Sequence, residues 1–173
     1  MIDSLKEYLS FAEERGWVLK ITDVVERVDI PRLIERLDRK KKIIVFSNVR
    51  GYRCGLVANL VPSHHVFSYL LHTDDPYRAF SERSRSVKQR VQSDQGELER
   101  IDMDGKDLLE FLPILKHYEG DSAPYITTSI ISSEDPRNGI VGRGIHRMEY
   151  RGGNRLGVTL LNPPLKDIHD WYR

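Results

Sequence analysis

The segment GIHRMEY holds one arginine, Arg147, whose side chain is well suited to binding an oxyanion. A guanidinium is a planar fork of N–H donors that matches a carboxylate or a phosphate. Strand alternation puts Ile145, Arg147 and Glu149 on one face and His146 and Met148 on the other. By residue type alone, Arg147 also reads as a surface cation paired to Glu149 or Glu119. Thr128 reads by residue type as an ordinary strand threonine with a hydroxyl that can donate. Gly120-Asp121 in GDSAPY fits a glycine loop near a ligand or a routine turn. Glu119, Asp121 and Glu149 are present, and no spacing singles one out as an acid. His146 and His169 read as packed or surface residues, and His64-His65 as the exposed start of a helix. Cys54, the single cysteine, reads as a small buried strand residue and not a nucleophile.

These residues need elements to position them. Leu5, Tyr8, Leu9 and Ala12 recur at helical spacing, Asp3 or Ser4 can cap them, and Gly16 supplies the stop. WVLKIT follows as a short strand. A second helix is expected from Ile30 to Lys40, with Asp29 at its cap and Pro31 in its first turn. KIIVFSNV is a continuous apolar run that predicts a strand covered on both faces. Gly51 turns the chain into a further strand, YRCGLVANL. Helices follow at HHVFSYLL and from Pro76 to Gln92. A turn at Asp94–Gly96, a strand-like ELERIDM and one helical turn at Asp107–Leu112 complete a small α/β domain. Beyond Lys116 the chain turns β-rich. YITTSIIS, IVGRGIHRMEY and RLGVTLL predict three strands, with a hairpin turn at SEDPRNG, where Pro136 fits the entry and Asn138-Gly139 is a strong signal, and a second turn at 151–154. KDIHDWY then begins a helix in which the chain ends, so this half reads as an unfinished domain with an unpaired edge.

Bulk properties exclude some classes. Lys+Arg is 27 and Asp+Glu is 26 over 173 residues, so nothing general argues for nucleic-acid binding. The stretch from Arg78 to Arg90 is basic, with Glu82 its one acid; it fits a solvated helix face or an anion-attracting rim. No apolar run approaches the ~20 residues of a membrane span. One cysteine and no signal-like start fit a cytoplasmic protein.

Several stretches resemble UbiD-type reversible decarboxylases, which use a prenylated flavin mononucleotide (prenylated FMN). LKEYLSFAEERGWVLKI is similar to the family's first helix and strand, and KKIIVFSNVRGYRCGLVANLVPS to its strand–Gly–strand–loop unit. LLEFLPILKHYEGDSAPYITTSIISSEDPRNG follows the family's Leu-Pro-Ile, Gly-Asp, Tyr-Ile-Thr and Asp-Pro pattern. GIHRMEYRGGNRLGVTLL resembles its cofactor-binding hairpin.

The resemblance implies an α/β N-terminal domain with a mixed sheet over residues 1–115. The first strands of a flavin-reductase-like split β-barrel would follow over 116–173, incomplete. It implies that Arg147 is the catalytic residue, binding the substrate carboxylate beside the flavin. Thr128, Ile145, His146, Arg147, Thr159, Leu160 and Leu161 then fall at cofactor-binding positions. It puts the family's divalent metal (Mn or Mg) in doubt. The asparagine ligand five residues before the arginine is Gly142 here, the histidine ligand falls at about Leu165, and the glutamate would lie beyond Arg173. The catalytic acid pair is missing as well. The chain is therefore expected to act as a subunit or N-terminal part of a (de)carboxylase for an unsaturated or aromatic acid. A second copy or a complementary subunit would carry the rest of the barrel and the C-terminal domain, and a flavin prenyltransferase would supply the cofactor. Two other readings stay open: a non-catalytic accessory subunit that has lost the cofactor, and a plain flavin-binding module.

Overall fold

Ser4 starts the first helix, α1 (Leu5–Glu14), by accepting the Glu7 N–H at 3.2 Å, which satisfies one of the donors a helix start leaves open. Gly16, at φ +67°, ends the helix in the left-handed region that glycine adopts without a Cβ penalty. The computed structural model describes residues 4–85 and 101–173.

The first sheet holds β1 (Val18–Val25), β2 (Ile43–Val49) and β3 (Leu56–Ala58) in the order β1-β2-β3. β2 and β3 are antiparallel, with Val45 opposite Val57. Ile43 N–H donates to the Trp17 carbonyl and Arg50 N–H to the Val25 carbonyl. The two strands thus advance together, β1 and β2 are parallel, and the sheet is mixed as expected. Ile43, Ile44 and Phe46 are fully buried. Successive strand residues point to opposite faces, so the first half of β2 is covered on both sides. Ser47 and Asn48 are exposed, and the double cover stops there.

α2 (Ile30–Leu37) runs on into a tighter turn, Asp38–Lys40, which together fill the expected helix. Ser63 caps α3 (His64–Leu71) by accepting the Val66 N–H, and both histidines at its start are exposed. Edge-to-face rings join α1 and α3 to the chain entering β1: the Trp17 centroid lies 5.9 Å from Phe11 and 5.1 Å from Tyr69. α4 spans Pro76–Arg85. The expected extension of that helix to Gln92, the end of the basic run, the Asp94–Gly96 turn and the start of ELERIDM lie outside the described residues. Among the described residues no helix is long and apolar enough to cross a membrane.

Cys54 corrects an expectation. It is exposed, and β3 covers only Leu56–Ala58 of the expected YRCGLVANL strand. A Cβ on Gly55 would lie 2.5 Å from the Phe46 carbonyl oxygen, so the chain reaches β2 at closest approach only there, and Cys54 stays in the loop before it.

α5 (Leu108–Phe111) is a single turn capped by Asp107. The second sheet is a meander of β4 (Tyr125–Glu134), β5 (Val141–Tyr150) and β6 (Leu156–Gly157), antiparallel throughout. β6 is shorter than the expected RLGVTLL. Thr159, Leu160 and Leu161 lie beyond it in an unpaired stretch. The chain leaves the sheet to bring α6 (Leu165–Trp171) against β4 and β5, where Leu165 and Ile168 are buried.

The chain divides into two compact units, one drawn from Met1–Val24, Arg32–Asn48 and Gly55–Asp102, the other from Val25–Pro31, Val49–Cys54 and Met103–Arg173.

Asp135, not the Asn138-Gly139 pair alone, organises the β4–β5 hairpin. Gly139 does adopt φ +71°, but the connection is the wider loop 135–140. The Asp135 carboxylate is buried at 5% exposure. It accepts from the Arg137 backbone at 2.9 Å, from the Arg137 guanidinium at 2.9 and 2.7 Å, and from the Asn138 amide at 3.2 Å. The Arg137 hydrogen bonds hold its pKa at about 2, below the ordinary 3.8. A carboxylate with a depressed folded pKa stabilises the fold above its unfolded pKa and loses that contribution as pH falls through the folded one. Thermal melts should therefore lose stability between pH 4 and 2, the window set by 3.8 and about 2. Asp135→Asn should melt lower at pH 7 and lack that part of the acid dependence. Superimposable melting curves for the two proteins across this range would contradict the role given to Asp135.

Candidate functional site

A β-bulge places the candidate residues. Ile126 is opposite Met148, but Ser129, not Thr128, is opposite His146. Thr127 and Thr128 together thus face Arg147, two residues against one. Such a bulge bends a strand and re-aims its side chains. After it, Ser129 falls on the same side as His146, and Ile130 pairs with Ile145 on the other.

The two faces of the hairpin differ. α6 covers one: Gly142 is buried there, and Gly144, His146 and Met148 are half-buried on the same alternation. The His146 ring folds back over Gly144, where an added Cβ would lie 2.5 Å from Nε2. Ser129 Oγ is buried on this side and is the one such side-chain polar atom without a hydrogen-bond partner among the described residues. The other face is open. Ile130 is 75% exposed and its cross-strand partner Ile145 is 74% exposed. Ser132, Arg143 and Arg147 share that face, and Thr128 is exposed in the bulge.

Arg147 is exposed, and its guanidinium carbon sits 5.2 Å from the centre of the Tyr125 ring, in cation–π range. Neither expected acid pairs with it. Glu149 accepts from the Ser122 hydroxyl and forms its ion pair with Arg151. The Ser122 hydroxyl first, then Tyr125 and Arg151, hold the Glu149 carboxyl below its ordinary range. Among the described residues no carboxylate pairs with Arg147.

The structure thus brings Thr128, Ile145 and Arg147 together at the bulge and puts His146 on the opposite face. Thr159 and Leu161 are exposed and Leu160 half-buried in the unpaired stretch after β6. Arg143 escaped the reading of the sequence. Its spacing of four from Arg147 on a strand is the signal that could have found it. Its Nε donates to Ser132 Oγ at 3.1 Å.

Gly142 and Leu165, the positions where metal ligands would be matched, meet in space. A Cβ on Gly142 would lie 3.0 Å from both Cγ and Cδ2 of Leu165. Neither side chain offers an oxygen, and hard divalent cations need several. A divalent metal does not fit these residues.

Elsewhere in the same unit, Asp107 accepts from the Tyr150 hydroxyl at 2.7 Å and from the Leu109 N–H at 2.8 Å. The Tyr150 bond lowers the Asp107 pKa and raises that of Tyr150. The pair clamps α5 to the β5–β6 turn beside a shallow groove of about 480 Å3 lined by Gly105, Lys106, Asp107, Glu110, Gly153 and Asn154.

Comparison with known proteins gives a consistent picture. The family model described as the UbiD 3-octaprenyl-4-hydroxybenzoate carboxy-lyase Rift-related domain matches residues 88–173. An anhydromevalonate phosphate decarboxylase of Methanosarcina mazei is 29% identical over 160 residues, which is 91% of this chain and 36% of that protein. A phenolic acid decarboxylase of Escherichia coli O157:H7 is 26% identical over 184 residues, 96% of this chain and 38% of that protein. An evolved dimeric form of the UbiD-class enzyme HmfF from Pelotomaculum thermopropionicum, solved with prenylated FMN, superposes with a TM-score of 0.82 at 28% identity. That match covers 97% of this chain and 40% of the other. The chain therefore spans about two fifths of the proteins it matches.

The Gly142–Leu165 contact is testable. Gly142→Asn should cost about 1–3 kcal/mol in denaturant unfolding, the usual range for an overpacked site. It should create no Mn2+ site in calorimetric titration. Adding Leu165→Ala should recover part of the loss. A Gly142→Asn protein as stable as the parent would disprove the close contact.

Proposed function

The chain is a UbiD-like N-terminal portion, and from that premise we propose that it supplies the arginine face of a non-oxidative (de)carboxylase that uses prenylated FMN. Its relatives support a decarboxylase-type role. The observation that carries the reading is Arg147: a guanidinium without an acid partner among the described residues, stacked on Tyr125 and opposite a bulge of two threonines.

Arg147 holds the substrate carboxylate with two parallel N–H donors and orients the bond to be broken. Tyr125 limits the positions that the guanidinium can take. Ile130 and Ile145 pack against an apolar ligand body and keep water from it, while Thr128 donates to a ligand oxygen. When bound, prenylated FMN supplies the electron sink that no protein side chain offers. A flavin prenyltransferase would provide it.

The proton has no source on this hairpin. Glu149 is kept ionised by Ser122, Tyr125 and Arg151. A general acid must carry its proton at the working pH, so the acid comes from elsewhere. A complementary subunit or a second copy of the chain would bring it, with strands that close the open sheet into a split barrel. The substrate is an unsaturated or aromatic acid. The relatives' activities, on anhydromevalonate phosphate and on phenolic acids, leave both kinds in play.

The Gly142–Leu165 contact favours a second reading, an accessory subunit without cofactor. Purification with a co-expressed flavin prenyltransferase separates the two. The decarboxylase reading expects a flavin-type visible absorbance. In the assembled enzyme, Arg147→Gln should keep the colour and lower decarboxylation about 10–100-fold, the loss of a charged hydrogen-bond pair. A protein that stays colourless with every partner chain belongs to the accessory class instead.

A further inference from the structure

We infer that Arg143 is a phosphate-binding residue and that the open face of the hairpin takes a phosphate monoester there without a divalent cation. The inference rests on the reading above, in which Arg147 holds a carboxylate on the same face.

The first argument is charge. Arg137 pairs with Asp135, and Arg151 pairs with Glu149. Arg143 and Arg147 pair with no carboxylate among the described residues. Glu134 is exposed at the hairpin end of this face, and it bonds to neither arginine. The face thus holds two guanidiniums without an ion-pair partner against one carboxylate, and its charge is positive.

Orientation is the second. The Arg143 Nε donates to Ser132 Oγ at 3.1 Å. That bond fixes the side chain by its inner nitrogen and leaves the two terminal nitrogens to fork onto an oxyanion.

Spacing is the third. Arg143 and Arg147 stand four residues apart on one strand, about 13 Å at ~3.3 Å per residue. Ile145 lies between them, with Ile130 across from it. The strip offers a cation, an apolar platform and a second cation. A ligand with an anion at each end and an apolar body matches that order.

Chemistry is the fourth. Among the described residues no cluster of three histidine, cysteine, aspartate or glutamate side chains could hold a metal ion, and hard divalent cations need several oxygen ligands. Neutralising a phosphate there falls to a guanidinium, which binds phosphate directly.

The phosphate monoester could belong to FMN or to a phosphorylated acid, and the test separates them. Arginine side-chain N–H resonances of the full chain are followed in EDTA during titration with inorganic phosphate. The Arg143 resonance, identified as the one missing in Arg143→Gln, should shift and saturate. FMN and riboflavin are then compared, as are a phosphorylated unsaturated acid and its dephosphorylated form. At least one phosphorylated member should bind about 10-fold more tightly than its partner, the worth of one charge-assisted contact. Arg143→Gln should abolish that preference and leave the unphosphorylated affinity unchanged. The pair that shows the preference names the source. A non-saturating shift, no preference in either pair, a preference that survives Arg143→Gln, or one that appears only with Mn2+ overturns the inference. The inorganic-phosphate arm needs no flavin. Saturable binding by a protein that stays colourless with every partner chain would thus retire the decarboxylase reading and keep this one.

Discussion

One backbone irregularity sets the character of the second unit. In a strand the side-chain period is two, so a shift of one residue exchanges every inward side chain for an outward one. The bulge at Thr127 and Thr128 makes that exchange halfway along β4. Beyond it, Ser129 and Ile131 turn to the covered side while Ile130 and Ser132 turn outward. Without the extra residue, Ile130 would be buried and the cross-strand Ile130–Ile145 pair would not exist. The same irregularity sets two hydroxyls against Arg147. The open face is a product of register more than of composition.

Electrostatics on this hairpin work by sequestration. Asp135 takes up Arg137, and Glu149 takes up Arg151 and the Ser122 hydroxyl. Each acid is held in its charged form by neighbours that also serve the turns. That leaves two guanidiniums on the exposed side, one steadied by a ring and the other by a hydroxyl. A face arranged in this way attracts anions and cannot donate protons to carbon. The proposed outside acid and the proposed anionic ligand both rest on the same pairing.

Much of the fold could be read from local signals. Ser4 and Gly16 bound α1, the apolar run of β2 is buried on both sides in its first half, and β4 and β5 occupy their expected segments, because caps, burial runs and alternation are short-range. What escaped depends on distant groups. Cys54 is exposed in the loop before Gly55, where the backbone first passes close to the Phe46 carbonyl. The run Val158–Leu161 has strand-forming residues, yet it leaves the sheet so that Leu165 can reach Gly142. The hairpin turns within SEDPRNG as expected, but the burial of Asp135 and its bonds to Arg137 and Asn138 were not legible there. In the proposed site, the type of Arg147 and its place on the strand could be read from the sequence. Its lack of an acid partner, the bulge opposite it and the placing of Arg143 on the same face required the pairing register.

The exposed isoleucine pair has a thermodynamic consequence for whatever covers this face. Shedding water from two aliphatic side chains lowers the heat capacity and is driven by entropy near room temperature. Closure over Ile130 and Ile145 should then tighten on gentle warming and loosen in the cold. The charged contacts at either end would add a dependence on ionic strength. A cap on this sheet would thus answer to two independent variables, heat at its centre and salt at its margins.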